Sequence, residues 1–314
     1  MQLNNTELTL NKWKNAAQTL MLLGLMATFV WILGTWILGE SFALFATLCI
    51  VTLMVFNPAL SPQFIMRAYA AAELREHQAP ELFHALKILS QRAELETTPK
   101  LFYIPVGTMN AFATGSQSNS AIGLSDGLLR QLDLEEILGV LAHEISHIRH
   151  HDIRIMTISD LMGQLTRLLS MTGQILIFFS IPAVLAGLAQ IDLLPVLVLV
   201  LAPTASALVQ LAISRRREFQ ADLSAAQLMG SPRPLTKALI KLNRQSSYWE
   251  RFYRASSDNA LLRTHPTTKE RIEKLEALKS KEDWQPLPTA RFHDPHWLPK
   301  QHIRPRRVSR YFWF

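Results

Sequence analysis

Four stretches of the chain are apolar and contain no charged residue: residues 20–38, 41–60, 168–191 and 193–214. Each is close to the roughly 20 residues that a helix needs to cross a bilayer. Only Gly39 and Glu40 separate the first two, and a turn around residues 190–192 separates the last two. The pattern therefore predicts two tight helical hairpins. Lys12 and Lys14 precede the first stretch, as in a signal peptide. The stretch is too long for one, lacks a small-residue cleavage site and is followed at once by a second apolar run. A pair of buried helices in a soluble domain is the other reading of the last two runs, and their length and lack of charge oppose it. Pro195 and Pro203 predict a bend in the fourth helix, which a membrane helix tolerates.

Between the hairpins lies a polar segment, residues 67–167, with shorter periodicities. Residues 81–95 place Leu82, Leu86 and Leu89 at helical spacing. Residues 101–104 read as a strand ended by Pro105 and Gly107, and residues 110–114 and 121–124 as two more around a polar turn. Asp133 opens a further helix, with Glu136 completing a capping box, and Ile137, Leu141 and Ile145 carry its apolar face to about His150.

Composition agrees with a membrane protein. Hydrophobic residues make up 49% of the 314 positions and charged residues 18%, below the quarter or so usual for soluble domains. The net charge of +7 is modest. Its basic residues cluster beside the apolar runs and near the C-terminus and form no nucleic-acid-binding motif, so no nucleic-acid partner is expected. Lys12, Lys14, Arg67, Arg154, Arg167 and Arg215 to Arg217 all flank the outer ends of the hairpins, whereas the turns hold only Glu40 and Asp192. All polar parts thus share one side, and the positive-inside rule makes it cytoplasmic. The single cysteine, Cys49, excludes an internal disulfide and a cysteine-based zinc site.

The chemistry concentrates in His143-Glu144-Ile145-Ser146-His147. Residues four apart share one helical face, so both imidazoles can reach one metal. Glu144 stands beside them, placed to take a proton from a water made acidic by zinc. Three arrangements compete for a third ligand. His150 lies along the same rod and closes a tetrahedron poorly. The H-x-x-G-x-x-H extension fails, because His150 occupies the glycine position and Ile153 the histidine position. Glu218 is the best candidate, with Asp222 one turn further on to accept a hydrogen bond from a ligating histidine. Balancing of Arg215 to Arg217 at a membrane surface is the plainer explanation of that pair of carboxylates.

For the substrate, the short strand with Asn110, Ala111 and Phe112 offers an edge to an extended peptide. His265, with Arg271 after it, could present a polar group to a developing oxyanion. A simple surface turn before a helix has the same pattern.

Together these motifs resemble the HtpX-type membrane zinc metallopeptidases, relatives of the CAAX prenyl proteases. Residues 110–115, 143–147, 218–222 and 265–271 match in order, and the likeness covers roughly residues 10–280. The resemblance implies one Zn2+ held by His143, His147 and Glu218, with Glu144 as catalytic acid and base. It implies that Asn110 contacts the peptide backbone, and that His265 contacts the substrate carbonyl region with Arg271 nearby. His150 and His151 are unlike the expected pattern.

The fold class expected is a mainly α integral membrane protein with four transmembrane helices and a cytoplasmic zincin-like (gluzincin) α+β catalytic domain. The expected organisation is a first anchor in residues 1–66, catalytic segments in 67–167 and 215–280, a second hairpin in 168–214, and a basic, aromatic tail in 281–314. The function expected is endopeptide hydrolysis of membrane or misfolded proteins, a quality-control role at a bacterial inner membrane. The partners are protein or peptide substrates and membrane lipids. A peptidase-like sensor and a non-enzymatic membrane scaffold are the rival readings; the retained Glu144 opposes the scaffold.

Overall fold

The computed structural model describes residues 17, 20, 21, 24–32, 34, 35, 39–55, 61–188, 190, 193–253, 268–278 and 287. They divide into two compact units.

The first unit contains the described residues up to 55 and those of 155–214. Residues 24–32 are helical (α1), and α2 spans Glu40–Val55. Residues 155–185 of the long helix α7, Asp152–Leu185, and residues 193–214 of α8, Leu193–Met229, supply the rest, while the first turn of α7 and the part of α8 from residue 215 on belong to the second unit. Ile155–Leu185 and Val196–Met229 are long and apolar enough to cross a membrane, judged by length and composition. An apolar cluster of Met26, Val30, Ile158, Met162 and Leu199 fills the interior of this unit, but large apolar side chains also cover its outside and polar ones lie within. Phe178, Phe179 and Leu185 point outward at 68%, 73% and 83% exposure, while Ser159, Thr166, Ser170, Ser206 and Gln210 are buried. Small and hydroxyl residues belong at helix–helix seams in lipid, where they let backbones approach and donate across the contact. Accordingly Gly163 faces the Gln210 amide, Gly173 faces Leu199, and the Ser170 hydroxyl donates to the Leu199 carbonyl.

The second unit contains the described residues of 59–154, 215–260 and 265–314. It begins with α3, Pro62–Ala68, strand β1, Ala72–Glu73, a 3-10 turn at Glu76–Gln78 and α4, Pro80–Arg92. Strands β2, Lys100–Ile104, β3, Ala111–Ser116, and β4, Asn119–Ser125, complete a sheet of order β1-β2-β4-β3. β2 runs parallel to β4, and the other two pairs are antiparallel. The expected strands are present; the parallel pairing and the short β1 carry no sequence signal. Helices α5, Asp126–Gln131, and α6, Leu134–Arg149, pack on the sheet, α9, Arg233–Tyr253, packs on α6, and α10, Thr268–Ala277, packs on α9.

α6 is the central element. Asp133 caps it by accepting from the Glu136 N–H, and the Glu136 carboxylate in turn accepts from the Asp133 N–H, both at 2.9 Å. Ile137, Leu138, Leu141 and Ile145 are buried against Leu82, Leu86 and Leu89 of α4, Leu101, Ile122 and Leu124 of the sheet, and Leu235 and Ala238 of α9. Each such aliphatic side chain stabilises the fold by about 1.5–3 kcal/mol, which fixes α6 on all its apolar sides. The helix ends at Arg149. His150 is its C-cap, and His151 takes a left-handed conformation (φ 58°) that turns the chain into α7.

Candidate active site

The polar face of α6 presents His143 and His147 one turn apart, with their Nε2 atoms 3.2 Å from each other. α8 brings Glu218 to the same point. Its Oε2 lies 3.4 Å from His143 Nε2 and its Oε1 3.9 Å from His147 Nε2. All three residues are buried. A tetrahedral ion with bonds of about 2.0–2.1 Å has ligand–ligand edges of roughly 3.4 Å. One ligand atom from each of the three residues lies within 4.8 Å of the other two, close enough for one ion, and Glu218 approaches His143 with Oε2 and His147 with Oε1. Two nitrogens and one carboxylate are the donors that zinc-type sites use.

The outer nitrogens are engaged as well. His143 Nδ1 lies 3.1 Å from Asp222 Oδ1, and His147 Nδ1 lies 3.2 Å from Asp152 Oδ2. A carboxylate at Nδ1 favours a proton there and orients the ring so that Nε2 faces the shared point. Each carboxylate is backed by an arginine. The Arg271 Nε and Nη2 donate to Asp222 at 2.8 and 2.7 Å, and its Nη1 lies 3.0 Å from Glu218. Arg217 Nη1 donates to Asp152 Oδ1.

These neighbours set the protonation of the site. Burial and the Arg271 charge oppose a proton on His143, but Asp222 and Glu218 outweigh them and carry its pKa up to about 9. Burial works against the Asp222 charge too, yet His143 and Arg271 hold its carboxyl below the usual range. Burial also works against the charge of Arg271, and Asp222 and Glu218 more than restore it. Glu144 is raised, chiefly by burial.

Glu144 projects from α6 toward the sheet, where its Oε2 accepts from the Ala113 N–H at 2.8 Å. The register explains why that N–H is available. β3 is an edge strand paired with β4 alone. The Ser125 N–H donates to the Asn110 carbonyl at 3.0 Å, and antiparallel bonding alternates, so Ala111 and Ala113 turn their N–H groups to the open edge. Asn110 itself stands just before the strand, its N–H donating to the Ser125 hydroxyl at 2.8 Å. Phe112 packs on Tyr69 with ring centroids 5.0 Å apart.

Of the residues singled out by sequence, His143, Glu144, His147, Glu218, Asp222 and Arg271 converge in one cluster, and Asn110, Ala111 and Phe112 lie on or beside the strand facing it. Arg271 is half-buried, with its guanidinium set among the carboxylates. His150 points elsewhere: its Nε2 is 2.9 Å from the Ser224 hydroxyl, and burial lowers its pKa to about 4. His265 lies outside the described residues, as does the tail after Leu287. The sequence reading missed Asp152 and Arg217. The available signal was an aspartate opening an apolar helix five residues after His147.

The sequence matches peptidase family M48 over residues 76–279. A Protease HtpX homolog of Campylobacter concisus is 34% identical over 283 residues, covering 82% of this chain and 95% of the relative. A second, from Streptococcus agalactiae serotype Ia, is 33% identical over 263 residues, covering 78% and 88%. The crystal structure of S. mikatae Ste24p aligns with 86% of this chain and 66% of its own at a TM-score of 0.48 and 22% identity. The stretch that matches the family starts ahead of α4 and ends just past α10, enclosing the whole histidine–carboxylate cluster, and the chain accordingly belongs to peptidase family M48 and is a metalloprotease.

Proposed function

We propose that the protein is a membrane-anchored zinc endopeptidase. His143, His147 and Glu218 hold one Zn2+, Glu144 acts as the catalytic acid and base, and an extended peptide lies along the open edge of β3. The observation that carries this reading is the meeting of three buried donor atoms, spaced for one ion, directly beside a carboxylate that bonds the open strand edge.

Zinc, when bound, supplies the Lewis acidity that makes water nucleophilic at neutral pH and polarises the scissile carbonyl. Glu144 takes the proton of the attacking water at its carboxylate and passes it to the departing amine. Burial raises its pKa, which brings its basicity nearer to the working pH. The Ala113 N–H keeps the carboxylate from swinging away from the strand. Asn110 and the outward backbone groups at Ala111 hold the peptide by strand addition, with Phe112 shaping the edge. Arg271 steadies Glu218 and Asp222 at the border of the site, and His265 supplies a polar contact to the substrate carbonyl.

The two apolar hairpins, residues 20–60 and 168–214, form four transmembrane helices, and residues 67–167 with 215–280 form the cytoplasmic zincin-like catalytic part. The outward-facing aromatic and aliphatic side chains of α7 and α8 support lipid contact. Substrates on that side are membrane or misfolded proteins. The basic tail, residues 281–314, binds anionic lipid headgroups.

Glu144→Gln tests the mechanism. The purified variant is expected to keep its zinc and to lose casein cleavage by about two to four orders of magnitude. Cleavage at the wild-type rate would overturn the assignment.

A further inference from the structure

A metal-ligating imidazole needs its second nitrogen satisfied, and the residues that do this set where the ring points. In this protein both histidines are served in the same way. His143 Nδ1 faces Asp222, which is held by Arg271, and His147 Nδ1 faces Asp152, which is held by Arg217. Only the first of these chains lies within the motifs that mark the site in the sequence. The second is as buried as the first, with Asp152 and Arg217 at 3% and 4% exposure.

The origin of this second chain is a break in the helix. On an uninterrupted helix, a residue five positions after His147 lies about 140° around the axis, at 100° per residue, and faces away. The left-handed His151 ends α6 and starts α7 at Asp152, which folds the carboxylate back under the His147 ring. Arg217 reaches the same carboxylate from α8 and immediately precedes Glu218. One ion pair therefore joins the element that orients His147 to the element that delivers Glu218.

We infer that Asp152 and Arg217 are a positioning pair for the metal centre, Asp152 fixing the tautomer and direction of His147 and Arg217 fixing Asp152 and the height of α8. The inference rests on the reading of His143, His147 and Glu218 as the metal ligands. It assigns Arg217 a task separate from balancing charge at a membrane surface, which remains available to Arg215 and Arg216, neither of which is an Asp152 partner.

The test is zinc affinity of the full-length protein in detergent, measured by competition with a chromophoric chelator. The variants are Asp152→Asn, Asp152→Asn with Arg217→Gln, and Glu218→Ala. The double variant removes both charges, so no lone buried ion remains to threaten folding. Asp152→Asn and the double variant are expected to bind zinc about 10- to 100-fold more weakly. The double variant should be no worse than Asp152→Asn, because Arg217 acts through Asp152. With zinc saturating, turnover on casein should fall while KM holds, since a ligand rather than the peptide edge has moved. Wild-type zinc affinity and turnover in the double variant would overturn the inference, whatever its melting temperature, because a merely structural ion pair would behave so. Glu218→Ala separates the two levels. If it loses zinc while the double variant does not, only the positioning role falls. If Glu218→Ala binds zinc like the wild type, the ligand assignment falls and the inference with it.

Discussion

Gly139 lies on α6 one turn before His143, and it meets the first turn of α9 with no side chain between. A Cβ placed there would stand 2.6 Å from the Leu235 nitrogen, 2.8 Å from the Pro234 carbonyl carbon and 3.0 Å from the Leu235 Cα. Ordinary contact begins at 3.4 Å, so Gly139→Ala requires the two helices to separate by about 0.8 Å, the difference between 3.4 and 2.6 Å. All three opposing atoms are backbone, and no rotamer change can relieve them. Alanine recovers about 1 kcal/mol of helix propensity relative to glycine, whereas overpacking a core costs typically 1–3 kcal/mol. With backbone as the obstacle the cost lies at the upper end, and a net loss of about 1–2 kcal/mol is expected. For a unit of this size that lowers the melting temperature by roughly 2–8 °C. Function should suffer more. Displacing α6 moves His143 and His147 against Glu218, and misplacement by about 1 Å can cost on the order of 100-fold in rate. The assay is casein turnover and thermal unfolding of Gly139→Ala beside Gly107→Ala, where an added Cβ meets nothing within 4 Å. Gly107→Ala should stay within about 0.5 kcal/mol of wild type, the usual range for substitutions away from special features. A Gly139→Ala protein with undiminished melting temperature and turnover would refute the close-approach argument.

Two further outcomes are expected. Ala113→Pro removes the N–H that holds Glu144 and, because that N–H faces the open edge, spares the bonds to β4; turnover should drop about 10- to 100-fold, the worth of a hydrogen bond to a charged group, with zinc content unchanged, and wild-type turnover would dismiss the contact. His150 has a folded pKa lowered to about 4 from 6.5, so the unfolded chain binds the extra proton between those values and stability falls as pH drops from 6.5 toward 4, by up to about 3 kcal/mol; His150→Gln should flatten that part of the pH–stability curve of the metal-free protein, and a curve parallel to wild type would show that His150 does not carry the acid sensitivity.

Much of the site is written locally. His143 and His147 share a face because four residues are nearly one helical turn, and Glu218 and Asp222 share one for the same reason. The Asp133–Glu136 capping box starts α6 from contacts three residues apart, and uncharged runs of about bilayer length mark the apolar helices. Such features depend on near neighbours in the chain, so periodicity and spacing suffice to read them. What the tertiary structure decided lies between distant segments. Periodicity says that a helix has a buried face but not which backbone it will touch, so in sequence Gly139 is like any helical glycine, and only the tertiary structure sets Leu235 against it. Alternation marks β3 as a strand, but only the order β1-β2-β4-β3 makes it an edge and turns the Ala113 N–H toward Glu144. Asp152 was hidden because a helix read as continuous to about His150 gives no reason to fold the next residues back. A single left-handed residue, His151, reverses that geometry, and neither periodicity nor spacing reports the sign of one backbone angle.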